Sequence, residues 1–168
     1  MKNPVRPADD EARQLGSRLL AEAGSAALAV TDPATGTPNV SRVALQCVDG
    51  ELLSLVSDLS AHTPALRAHP LVALLVGEPG PKGDPLTYPR MTLRARARFL
   101  DRAEAGFEAR RTAYLDQQPK AKLYADFADF HFLRFEPLEI ALNGGFGKAY
   151  RLTPQDLKLT SPESRDRP

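Results

Sequence analysis

From Met91 to Phe99 apolar and polar residues alternate without a break. Met91, Leu93, Ala95, Ala97 and Phe99 fall on one side, and Thr92, Arg94, Arg96 and Arg98 on the other. A period of two fits an extended strand and no helix. Arginines at alternate positions cannot be buried unpaired, so the strand has one dry face and one wet face. Such strands belong to antiparallel sheets, because parallel sheets are covered on both sides.

The flanking sequence fits a largely β chain. Asp9 or Asp10 can cap a helix running to about Ala23, with Ala12, Leu15, Leu19 and Ala23 on one face and Gly24 closing it. Ala26 to Thr31 reads as a strand, Asp32-Pro33-Ala34-Thr35-Gly36 as a turn, and Val40 to Val48 as a second strand. Asp49-Gly50 signals a hairpin whose two central residues need positive φ. Leu52 to Ser57 is a third strand, His62 to Ala68 a short helix, and Leu71 to Val76 a strand apolar enough to be buried on both faces. Glu78 to Pro89, rich in Gly and Pro, is a loop.

Asp101 and Glu104 predict a capping box opening a helix through about Leu115, and Pro119 opens another to about Phe127. Phe130 to Leu142 is a long strand interrupted at Glu136-Pro137, and Asn143-Gly144-Gly145-Phe146-Gly147 turns into a last strand, Lys148 to Leu152. Two inter-strand spacings are too short for parallel crossovers. The expectation is a mainly β fold with flanking helices (α+β), an antiparallel barrel. An arm over 1–7, one domain over 8–160 and a disordered polar tail over 161–168 complete the plan.

Basic and acidic residues number 22 and 21, so no global field attracts nucleic acid or an anionic membrane, and any anion preference is local. The single cysteine, Cys47, forms no intrachain disulfide and reads as a packed strand residue. The start of the chain has no apolar signal region, and Leu71 to Val76 is too short to span a bilayer; the expectation is cytoplasmic.

Candidate chemistry gathers where the third strand ends in Ser57-Asp58-Leu59-Ser60-Ala61-His62-Thr63. Hydroxyls, imidazole and backbone N–H groups at a helix start can hold an anion such as a phosphate. Of three histidines, His62 is the candidate ligand contact. His69 before a proline reads as structural, and His131 as a half-buried strand residue. None stands at metal-ligand spacing, so no metal site is expected. Arg96 and Arg98 read as a solvated face, whereas Arg90 and Thr92 lie at the strand entrance, where ligand contacts concentrate. The arginine face lacks the interleaved aromatics of a nucleic-acid site. No nucleophile elbow, P-loop or dinucleotide fingerprint is present. Gly144 to Gly147 is a tight turn or a close backbone approach to a planar ligand.

These segments together resemble the pyridoxamine 5′-phosphate oxidase-related FMN-binding split barrels, nearest their haem-utilisation branch. The resemblance runs from about Ala8 to Leu152. It is carried by Ser41-Arg42-Val43-Ala44-Leu45, the Ser57–Thr63 turn with Leu66 and Pro70, and Gly83-Asp84-Pro85-Leu86. Arg90-Met91-Thr92-Leu93, Tyr124 to Phe130 and Gly144-Gly145-Phe146-Gly147-Lys148-Ala149 complete it. It implies an antiparallel split β-barrel and a homodimer with two FMN molecules in clefts between subunits. It also implies a phosphate held by Arg42, Ser57, His62 and Thr63. Backbone of Val43, Ala44 and Leu45 would line the isoalloxazine edge, and Arg90 would approach the ring or ribityl chain.

The chain departs from the family at two points. The basic residues of the oxidases' phosphate turn are replaced by His62-Thr63. Lys148-Ala149-Tyr150-Arg151 stands where they carry an Arg-x-His pair, which argues against vitamin B6 oxidation. No histidine follows His131, so the C-terminal haem ligand of the haem-utilisation branch is missing; Tyr150, read as a surface residue, is the substitute to weigh. The leading expectation is an FMN-dependent oxidoreductase. The alternatives are a haem-binding protein using the same cleft and a non-catalytic flavin binder.

Overall fold

A computed structural model describes residues 5–160. The chain runs β1 (Val5–Pro7), α1 (Asp10–Glu22), β2 (Ser25–Thr31), β3 (Pro38–Ala44), β4 (Gln46–Val48), β5 (Glu51–Ser57), α2 (His62–Ala68) and β6 (Leu71–Val76). It continues β7 (Arg90–Phe99), α3 (Phe107–Gln117), β8 (Phe130–Asn143) and β9 (Ala149–Leu152). The strands pair in the order β1-β9-β8-β7-β6-β2-β3, with β5 also on β8 and β4 on β5. All pairings are antiparallel except β1 with β9.

The barrel is split rather than closed. β3 is laddered to β2, while β4, after a break at Leu45, is laddered to β5. The expected single strand over Val40–Val48 is therefore two, because the chain crosses there from one sheet segment to another. Side chains join the seam: Ser54 Oγ donates to the Ala44 carbonyl at 2.6 Å, and Ser41 Oγ shares a 2.9 Å hydrogen bond with His62 Nδ1.

Inside the barrel lie Leu28, Leu45, Leu74, Met91, Leu93, Leu133, Phe135 and Ile140. A second cluster under α3 holds Val48, Leu53, Leu55, Phe107, Tyr114 and Phe132. β7 follows its alternation, Met91, Leu93, Ala95 and Ala97 being buried. The Asp49-Gly50 hairpin has φ of 49° and 77°, as that turn requires.

Several local expectations are corrected. α1 centres its buried face on Ala12, Gly16 and Leu20, because Gly16 lets Leu157 approach to 2.8 Å of where a Cβ would stand. β6 is buried on one face only, leaving Leu71 and Leu75 exposed. The Asp101–Glu104 cap closes a turn instead of opening a helix, since Gly106 (φ 82°) interrupts and α3 begins at Phe107. The segment after Pro119 is a single 3-10 stretch ending at Leu123. β8 is not interrupted at Glu136-Pro137. Register slips there instead, Arg94 facing Glu139 and Ala95 facing Pro137, so Leu138 bulges out. A proline without an N–H is tolerated at such a bulge. Tyr150 is a core residue, not a surface one.

Candidate functional site

The turn after β5 is tightly built. Ser57 Oγ donates to Asp129 Oδ2 (2.7 Å) and accepts from the Leu59 N–H (3.1 Å). Thr63 Oγ1 donates to the Ser57 carbonyl (2.6 Å), and the N–H groups of Asp58, Ser60 and Thr63 bond to the carbonyls of Asp129, Ser57 and Ser60. Both hydroxyls and most donors expected to face an anion are thus committed within the turn. His62 is 8% exposed; its Nδ1 is bonded to Ser41, its Nε2 is buried without a partner, and burial lowers its pKa, keeping it neutral. Beside it, His131 Nε2 donates to Asp58 Oδ2 at 2.7 Å. That bond first, and Arg67 further, hold the Asp58 carboxyl below the usual carboxylate range.

Arg42 is not part of this cluster. Strand alternation puts Ser41 opposite the buried Leu28, and Arg42 opposite Ala27 on the other face of the sheet. Val43 and Leu45 are in the core, with Ala44 half-buried between them. The structure joins Ser57, His62 and Thr63 in one corner and leaves Arg42 and Arg90 on the outer face.

That outer face has its own order. One row across the strands reads Arg42, Ala27, Leu75, Thr92, Ala141, Arg151, with an arginine at each end. At a strand spacing of ~4.8 Å it spans about 24 Å. The next row reads Val40, Ala29, Ala73, Arg94, Glu139. Ala27, Ala29 and Ala73 keep the floor low on β2 and β6, with Leu75 standing out between Ala27 and Thr92. Around it Val40, Leu71, Leu75 and Leu138 are exposed.

Two concavities open on this face. One of about 370 Å³ lies over Ala29, Leu71, Ala73 and Arg94, beside the Leu138 bulge. The other, of about 310 Å³, is lined by Arg90, Thr92, Glu139, Asn143, Ala149 and Arg151 among others, Arg151 lying 3.8 Å from the Glu139 carboxylate. Arg90 is braced by hydrogen bonds from Nη1 to the carbonyls of Leu86 (3.0 Å) and Tyr88 (3.4 Å). Arg94 pairs with Glu139 at 3.0 Å; of the two arginines expected to be solvated, Arg96 is exposed, whereas Arg98 is half-buried against Glu104 at 2.8 Å.

Sequence reading missed the floor. The signal was present in Ser25-Ala26-Ala27-Leu28-Ala29-Val30-Thr31, whose outward positions are small, but an alanine carries no chemistry that attracts attention. Among the described residues, no group of three or more His, Cys, Asp or Glu could hold a metal ion.

The sequence matches the family model described as pyridoxamine 5′-phosphate oxidase over residues 12–144. The chain belongs to the pyridoxamine 5′-phosphate oxidase family. It is 36% identical over 118 residues to the chloroplastic non-canonical haem oxygenase HOZ of Arabidopsis thaliana, covering 68% of this chain and 34% of that protein. The chain thus spans about a third of that relative's length. Among solved structures of similar fold is a haem-binding protein from Mycobacterium smegmatis, with a TM-score of 0.79 and 27% identity over 92% of this chain and 61% of that one. Campylobacter jejuni ChuZ, at 19% identity and a TM-score of 0.80 over 93% of this chain and 65% of its own, shares the fold. The family's split-barrel architecture is the one described above, and no described helix is long and apolar enough to cross a membrane.

Proposed function

We propose that this member of the pyridoxamine 5′-phosphate oxidase family is a cytoplasmic haem-handling protein that binds the tetrapyrrole on the outer face of β2, β6 and β7, between two copies of the chain. The row from Arg42 to Arg151 carries the proposal. A floor of small alanines leaves room for a planar ring, and the carboxylates, which share one edge of that ring, would meet either Arg42 at one end or Arg90 and Arg151 at the other, where Arg151 also lies 3.8 Å from Glu139. The names of the plant relative and the mycobacterial structure point the same way. The exposed Val40, Leu71, Leu75 and Leu138 support a second copy covering this face.

The fit has one distinct limit. None of the face's outward positions named here is a histidine; His62 is bonded to Ser41, His131 to Asp58, and His69 ends α2. Ring contacts and arginines therefore carry the binding, and the buried Tyr150 offers the iron nothing. When bound, haem would supply the redox chemistry, and the chain would position it and limit water.

The second reading is FMN, favoured by Thr92 and Asn143 beside Arg90, which suit a ribityl phosphate chain. Hemin and FMN titrations followed by absorption distinguish them. The haem reading expects a saturable Soret band that survives His69→Ala and His131→Ala but weakens in Arg42→Ala with Arg151→Ala. A flavin spectrum with no Soret band would transfer the site to FMN, and binding of neither would end both readings.

A further inference from the structure

The turn between β8 and β9 displays one side chain that the fold does not use. Phe146 is 100% exposed. The turn is closed by three hydrogen bonds: the Gly144 N–H bonds to the Lys148 carbonyl (2.7 Å), the Lys148 N–H to the Gly145 carbonyl (3.2 Å), and the Gly145 N–H to Asn143 Oδ1 (2.9 Å). Gly145 and Gly147 have φ of 109° and 73°, and a Cβ on Gly145 would stand 2.8 Å from the Thr87 carbonyl. The glycines are thus required by the backbone. Position 146 is not: its φ is ordinary and its side chain packs on nothing, so a polar residue would serve the turn better.

The turn rises from the end of the 310 Å³ concavity. Asn143, its first residue, and Ala149, the residue after it, both line that concavity, and Asn143 is paired with Arg90. We propose that Phe146 is an aromatic clamp for the ligand of this site, its ring lying against a planar, anionic ligand whose acidic group reaches Arg90. This deepens the reading of the outer face as a ligand site and rests on it. The hydrogen-bonded backbone fixes where the Phe146 Cβ stands, so stacking orders only the two side-chain torsions of the ring.

Wild type, Phe146→Ala and Phe146→Tyr are titrated with hemin and with FMN, and each is weighed by light scattering. For whichever probe wild type binds, Phe146→Ala is expected to weaken affinity between about threefold and tenfold. Phe146→Tyr, which keeps the ring, is expected to stay within about twofold of wild type, and the mass is unchanged throughout. An unchanged dissociation constant in Phe146→Ala, with wild type binding, overturns the clamp and leaves the site reading standing. Loss of a dimer mass in Phe146→Ala also overturns it, because a second copy and not a ligand would then cover the ring. Failure of wild type to bind either probe removes the site reading and the clamp together.

Discussion

At the scale of single residues, burial decides what two polar groups do. Arg134 is 3% exposed and is held by Glu51 (2.8 Å) and Glu136, while Arg110 of α3 grips Glu51 through Nε (2.6 Å) and Nη2 (3.1 Å). Burial pushes the Glu51 carboxyl up, but Arg110 and Arg134 outweigh it and hold its pKa below 4.5. This contribution to stability is present above pH 4.5 and lost as pH falls through the lowered folded value. Glu51→Gln leaves Arg134 underpaired in a dry place, so urea denaturation near neutral pH is expected to show a loss of about 3 kcal/mol. His62 has the opposite history. Burial alone lowers its pKa from 6.5, so the folded protein resists its protonation. Stability should decline as pH falls from about 6.5 towards that lowered value, and His62→Gln should flatten the slope in that window. Equal slopes for the two proteins would show that His62 is not held neutral by the fold.

At the scale of elements, the seam between β3 and β5 is the distinctive construction. Elsewhere backbone ladders join neighbours; here Ser54 of β5 bonds to the Ala44 carbonyl, and Ser41 of β3 bonds to His62 of the following α2. Ser41→Ala with Ser54→Ala is expected to speed amide exchange across β3 while leaving β7 and β8 protected. Uniform acceleration over all strands would mean the seam has no separate stability.

What the sequence disclosed follows from the same physics. β7 and the Asp49-Gly50 hairpin are local statements, set by alternation and turn geometry within a few residues. The break at Leu45 depends on strands far away in the chain and no local pattern marks it, whereas Pro137 marked an irregularity beside Leu138 without showing that the strand continues through it as a bulge. The site divides likewise. The hydroxyls of Ser57 and Thr63 were visible as chemistry. Their commitment to Asp129 and to the Ser57 carbonyl became apparent only when β5 and the segment before β8 met.

At the scale of the molecule, the outer face gathers exposed apolar side chains. Exposed leucines at 71, 75 and 138 with Val40 surround small alanines, and a monomer would leave them wet. A dimer mass in light scattering is the expected result, and Leu75→Arg should shift it towards monomer without unfolding the barrel. A wild-type monomer at working concentration would remove the second copy from the proposal.

β1 lies parallel to β9, Val5 opposite Ala149, and Val5 borders the same concavity as Arg90. Anything spliced ahead of Val5 therefore leaves the barrel at the rim of the candidate site. A polyhistidine purification tag placed there would hang imidazoles over a face whose outward positions named above include no histidine, and would offer ligands to the iron of added hemin. Spectra taken on such material would report the handle and not the protein, so the tag belongs at the other terminus or must be cleaved first.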